Sequence, residues 1–105
     1  YRELAEVYMM AARNKDAIEY WKKYLELNNS NYARYKYMTA LYNTKQYAEA
    51  ISEGEGLKKN NYTNLYIQRL LGYAYYEMGN KTDTAAYIKG LQSINKFFEI
   101  LYLIL

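Results

Sequence analysis

Lys15-Asp16-Ala17-Ile18-Glu19-Tyr20-Trp21 decides the fold, because its small–apolar pair Ala17-Ile18 returns as Ala50-Ile51, within Gln46-Tyr47-Ala48-Glu49-Ala50-Ile51. Nearly the same step taken again reaches Thr84. Two more columns keep that step: Tyr8, Leu41 and Tyr75, and Ala5, Met38 and Gly72. Three columns sharing one spacing mark an internal repeat, the feature to seek before any local assignment.

Within each copy the apolar spacing is helical. Leu4, Tyr8 and Ala11-Ala12 follow three- and four-residue steps, as do Ala17-Ile18, Trp21, Tyr24-Leu25 and Leu27. Arg13-Asn14-Lys15 and Asn43-Thr44-Lys45 are polar turns between such stretches, and Gly79-Asn80 is a left-handed helix terminator. Asn31, Thr44, Thr63 or Asn64, and Thr82 or Asp83 stand where N-caps are wanted. The pattern predicts six helices near 1–12, 15–28, 31–43, 46–59, 64–78 and 83–102. No sustained alternation supports a strand.

Composition agrees with this reading and excludes several functions. Proline is absent, as suits a chain that is mostly helix interior. There is no Cys and no His, which removes thiol catalysis, disulfides, imidazole acid–base chemistry and the usual zinc ligands. A net charge of +3 falls short of the basic surface a nucleic-acid binder needs. The carboxylates are spread singly, and Gly54-Glu55-Gly56 lacks the third glycine and lysine of a phosphate loop. No cofactor is expected, and an enzyme is the least favoured class. Asn28-Asn29-Ser30, Asn61-Tyr62-Thr63 and Asn80-Lys81-Thr82 fit the glycosylation sequon but read first as turns.

The columns resemble the tetratricopeptide repeat, a helix–turn–helix unit of about 34 residues. Leu71-Gly72-Tyr73-Ala74-Tyr75-Tyr76-Glu77-Met78-Gly79-Asn80 is similar to that family's first helix and turn. Asp16-Ala17-Ile18-Glu19-Tyr20-Trp21-Lys22-Lys23-Tyr24-Leu25-Glu26-Leu27 is similar to its second helix. The resemblance implies an all-α, right-handed solenoid of three units, approximately 1–30, 31–63 and 64–105, in one domain. A first residue other than Met and an apolar end suggest a piece of a longer repeat protein. Small residues facing each other would let the paired helices approach, Ala5 with Ala17 and Gly72 with Thr84.

The middle unit departs from the pattern, with Met38 at a small position and Gly54 at a bulky one. A volume exchange is expected, the methionine filling what the glycine vacates. Two glycines, at roughly 1 kcal/mol each, mark this helix as the one to fray or bend. Asn28-Asn29-Ser30 and Asn60-Asn61 replace the family's closing proline. In the third unit Thr84, Ile88 and Leu91 form one packing set. Ser93-Ile94-Asn95-Lys96-Phe97-Phe98 offers a competing register that would make residues 81–92 an insertion.

The resemblance places a concave wall on the first helices: Arg2, Glu6 and Met9, then Tyr32, Tyr35, Thr39 and Tyr42, then Tyr66, Arg69, Tyr73 and Tyr76. Tyr and Arg are enriched at binding hot spots. Such a wall implies a non-catalytic scaffold holding a protein partner as an extended peptide or a helix. The alternatives are a carbohydrate or small-ligand module that uses the aromatic wall, and a purely structural or dimerising repeat. The asparagines of carboxylate-clamping repeats are missing, which disfavours that sub-function. Phe97 to Leu105 is too short to span a membrane. Phe97, Phe98, Leu101 and Leu105 in that run are candidates for self-association as a homodimer, or for cover by a further repeat.

Overall fold

The structure is a computed structural model that describes residues 1–104, leaving aside the side chains of Ser93, Ile94, Phe97 and Phe98. Six helices follow one another: α1 (Arg2–Met10), α2 (Asn14–Leu27), α3 (Asn31–Asn43), α4 (Tyr47–Lys59), α5 (Leu65–Glu77) and α6 (Lys81–Ile104). Among the described residues there is no strand. Each helix packs on the next, and α3 also touches α5. No described helix is long and apolar enough to cross a membrane.

The turns inside the helix pairs recur in atomic detail. Ala12, Lys45 and Gly79 take left-handed backbone, with φ of 58°, 64° and 76°. The next amide then reaches back to the carbonyl of the preceding helix: Arg13 to Tyr8 at 2.8 Å, Gln46 to Leu41 and Asn80 to Tyr75, each at 2.9 Å. The acceptors are the Tyr8, Leu41 and Tyr75 column of the sequence. This six-to-one bond closes a helix by satisfying one of its orphan carbonyls. The Gly79 terminator is where the sequence placed it.

The caps differ from expectation in their residues. Ser30, not Asn31, begins α3, its Oγ accepting from the Ala33 amide at 3.1 Å. Asn64 rather than Thr63 begins α5, accepting from the Ile67 amide at 2.9 Å. Asn80, not Thr82 or Asp83, accepts from the Asp83 amide at 3.3 Å. Thr44 closes α3 instead of opening α4, because its hydroxyl donates back to the Ala40 carbonyl and Lys45 turns left-handed after it. A capping side chain must sit on extended backbone, and Ser30 and Asn64 hold that conformation here.

The core runs along the helix pairs through Ala5, Ala17, Trp21, Met38, Leu41, Ala50, Leu57, Ile67 and Leu71, all fully buried. The volume exchange is present. A Cβ on Gly54 would lie 2.5 Å from Leu71 Cδ2 and 2.8 Å from Met38 Cε, so both side chains occupy the space the glycine leaves. α4 runs unbroken through Gly54 and Gly56. Gly72 faces Tyr87 rather than Thr84, with Tyr87 Cβ 3.3 Å from where its own Cβ would be.

α6 is a single helix of 24 residues, about 36 Å long against about 20 Å for α5. Within the packing set of the third unit, Thr84 is buried, Leu91 half-buried and Ile88 40% exposed. Residues 81–92 continue without a break into the rest of α6. The side chains of Ser93, Ile94, Phe97 and Phe98, which carry the competing register, lie outside the described residues.

Candidate functional site

The expected wall draws its residues from α1, α3 and α5. At its first seam Tyr32 of α3 donates its hydroxyl to Glu6 Oε1 at 3.1 Å, while the Arg2 guanidinium lies over the Tyr32 ring at 4.9 Å. Arg2 also pairs with Glu6 at 3.7 Å. At the second seam the Tyr35 phenol is pushed above its ordinary value by burial first and then by the neighbouring Tyr66 and Tyr62. Tyr42 is raised in the same way, by burial and then by Tyr47, Glu77 and Tyr73. Glu6 and Tyr32 therefore meet across the adjacent first helices α1 and α3.

The residues expected in the wall are unequally exposed. Tyr66, Tyr73 and Tyr76 of α5 are 66%, 43% and 68% exposed. Arg69 lies beside them, its Nε donating to the Tyr73 hydroxyl at 3.2 Å. Tyr32, Tyr35 and Tyr42 are half-buried against the core, and Tyr42 packs edge-on to Tyr47 with ring centroids 5.5 Å apart. The Thr39 hydroxyl donates to the Tyr35 carbonyl in its own helix. The Met9 sulfur accepts the Trp21 indole N–H at 3.1 Å, which commits Met9 to the core. Of the self-association residues, Leu101 is 36% exposed, with Tyr102, Leu103 and Ile104 barer still. The Phe97 and Phe98 side chains and Leu105 lie outside the described residues.

The densest polar constellation is one the sequence did not point to. Glu55 Oε1 of α4 accepts hydroxyls from Tyr75 of α5 at 2.7 Å and Tyr87 of α6 at 2.6 Å. Lys58 donates to the Tyr87 hydroxyl at 3.3 Å and lies 5.0 Å from its ring centroid. Burial pushes the Glu55 carboxyl up, but the two hydroxyls and the Lys58 ammonium outweigh it and hold the group below its ordinary 4.5. Both phenols are raised well above 10, by burial and then by Glu55. A cleft of about 480 Å³ opens beside them, lined also by Thr63, Gln68 and Asp83.

A repeat signal for this cluster did exist. Tyr75 stacks on Tyr87 with centroids 5.6 Å apart and planes 16° from parallel, and Tyr8 stacks on Tyr20 at 5.5 Å and 15°. Tyr8 and Tyr75 share a column of the repeat, and Tyr20 stands as far before Tyr87 as Tyr8 does before Tyr75. One face of Tyr87 is covered by Tyr75, and the ring also carries Lys58. Among the described residues no group of three His, Cys, Asp or Glu could hold a metal ion. No protein-family model matches the chain, and no curated protein matches it.

Proposed function

We propose that the chain is a non-catalytic protein-interaction scaffold of the tetratricopeptide type. Its three helix–turn–helix units form a right-handed solenoid, and the tyrosine wall of the first helices holds an extended peptide or a partner helix. One observation carries the reading. Tyr66, Tyr73 and Tyr76 stand exposed side by side with Arg69 on α5, although the core beneath them is already filled by Ile67, Leu71 and Ala74. Large rings left in water beside a satisfied core are surface kept for contact. The left-handed turns at Ala12, Lys45 and Gly79, which follow one another at nearly equal steps, support the repeat.

The test is selection of binders from a randomised peptide display library, followed by titration of the best peptide. Tyr66→Ala with Tyr73→Ala removes two exposed rings without opening the core. Affinity should fall at least about tenfold, with helicity and melting unchanged. Tyr35→Ala with Tyr73→Ala should weaken the same peptide and also lower the melting temperature, because Tyr35 is half-buried. A peptide that binds both variants as it binds the parent chain overturns the groove reading, as does a selection that yields no binder.

A further inference from the structure

The chain carries two stacked tyrosine pairs at matching places in its first and third units. Tyr75 of α5 and Tyr87 of α6 lie with ring centroids 5.6 Å apart and planes 16° from parallel. Tyr8 and Tyr20 do the same at 5.5 Å and 15°. The middle unit holds Leu41 and Glu53 at these positions and so has no pair. The two pairs differ in what surrounds them. Tyr75 and Tyr87 donate their hydroxyls to the same oxygen, Glu55 Oε1, at 2.7 and 2.6 Å. The ring ends that bear the reactive ortho carbons are thus the ends drawn together. Gly72 permits the approach, since Tyr87 Cβ comes within 3.3 Å of where a Cβ on that glycine would stand. Both rings line the cleft of about 480 Å³ between α4, α5 and α6, and neither belongs to the tyrosine wall. The Tyr8–Tyr20 pair has cations instead, Arg13 at 4.9 Å from the Tyr8 centroid and Lys23 at 5.4 Å from that of Tyr20.

We propose that Tyr75–Tyr87 is an oxidative cross-linking site, at which a one-electron oxidant joins the two rings as dityrosine and staples α5 to α6. A phenol that loses an electron becomes a strong acid, so a base in contact with its hydroxyl takes the proton. Glu55 stands within the hydrogen-bond reach that such a transfer requires. Its carboxyl is held below its ordinary value, so it returns each proton to solvent at neutral pH. Each ring in turn gives up one electron and one proton and becomes a neutral phenoxyl radical. The two radicals form a carbon–carbon bond between ortho positions, and the hydrogens on those carbons shift to the oxygens to restore both hydroxyls. A haem peroxidase fed with hydrogen peroxide is an oxidant of the required class. The two electrons and two protons reduce one peroxide to two waters. At Tyr8–Tyr20 the cations oppose loss of an electron, and among the described residues no carboxylate accepts either hydroxyl. Lys58 exerts the same pull on Tyr87, but the Glu55 charge offsets it.

The experiment treats the dilute chain with a haem peroxidase and limiting hydrogen peroxide, then maps the monomer by trypsin digestion and mass spectrometry. Residues 70–81 carry Tyr75 and residues 82–89 carry Tyr87, while Tyr8 and Tyr20 fall in peptides of their own. The expected product fluoresces as dityrosine and joins 70–81 to 82–89 with the loss of two hydrogens. Fragmentation should place the bond at Tyr75 and Tyr87. This product should exceed the Tyr8–Tyr20 one at least about tenfold, the worth of a hydrogen bond to a charged group. Glu55→Gln keeps an acceptor oxygen but is no longer a base, so the Tyr75–Tyr87 yield should fall by about the same factor. Circular dichroism verifies that the variant is folded. Cross-links scattered over Tyr66, Tyr73 and Tyr76, with none between Tyr75 and Tyr87, overturn the proposal. So does equal yield from the two stacked pairs, or a folded Glu55→Gln variant that couples as well as the parent. Should that variant not fold, the comparison of the two pairs within the parent chain decides alone.

Discussion

Tyr87 of α6 donates its hydroxyl to Glu55 of α4 across 2.6 Å, joining two helices that are not neighbours in sequence. Glu55 is held below its ordinary value, so its contribution is present above about pH 4 and is lost as pH falls through its lowered value. Tyr75 and Tyr87 are raised, so theirs is present below about pH 10 and is lost as pH rises toward their raised values. Melting temperature against pH should therefore decline at both extremes. Tyr87→Phe should flatten the alkaline decline and cost about 1 kcal/mol at neutral pH, the site being partly open to solvent. An unchanged alkaline limb would remove Tyr87 from the account.

The two glycines of α4 should respond to alanine with opposite sign. Gly54→Ala drives a methyl into Leu71 and Met38 and should destabilise by about 1–3 kcal/mol. Gly56 has nothing within 4 Å of its would-be Cβ, so Gly56→Ala should stabilise by about 0.5–1 kcal/mol. Denaturant titration of both settles the sign. Adding Met38→Ala to Gly54→Ala should show a coupling above about 0.5 kcal/mol, the mark of a shared space.

Ala12 and Lys45 occupy the left-handed position that Gly79 fills in the third turn. Ala12→Gly and Lys45→Gly should each relieve about 1 kcal/mol of backbone strain, and Gly79→Ala should introduce as much. For a chain of this size each change moves the thermal midpoint by about 4–8 °C, within reach of calorimetry. If the glycine variants melt lower, the turns are not left-handed in solution.

Trp21, the one tryptophan, is fully buried with its N–H on the Met9 sulfur. Its emission should be blue-shifted in the native chain and move to the red on unfolding. Met9→Leu keeps the volume but removes the acceptor, and should cost about 1 kcal/mol in a melt followed by that emission. No loss of stability would show that the sulfur contact carries no weight.

The helices were legible because they follow a period, and a period survives loss of all detail. α3 matches its expected span, and the others differ by a few residues at their ends. The Met38–Gly54 exchange was legible because each residue breaks its own column in the opposite direction. The caps were not, since Asn28-Asn29-Ser30-Asn31 offers several competent side chains, and only the backbone of Ser30 decides among them. The wall's positions came from the family resemblance, and the gradient of exposure among those residues was not legible. Periodicity gives no sign that Tyr35 would sink toward the core while Tyr66 stays in water, or that Met9 would turn inward to Trp21. Glu55 was hidden for another reason: its partners lie 20 and 32 residues away on two other helices.

The first and last helices are anchored through different side chains. α1 is tied by the Trp21–Met9, Tyr32–Glu6 and Arg2–Tyr32 contacts to the two helices that follow it. α6 rests on α5, and among the described residues its polar ties to α4 pass through the Tyr87 hydroxyl and ring. Losing the Tyr87 contacts would part α6 from α4 while leaving it packed on α5. Tyr87 works as a latch, holding one helix to two others through a single side chain.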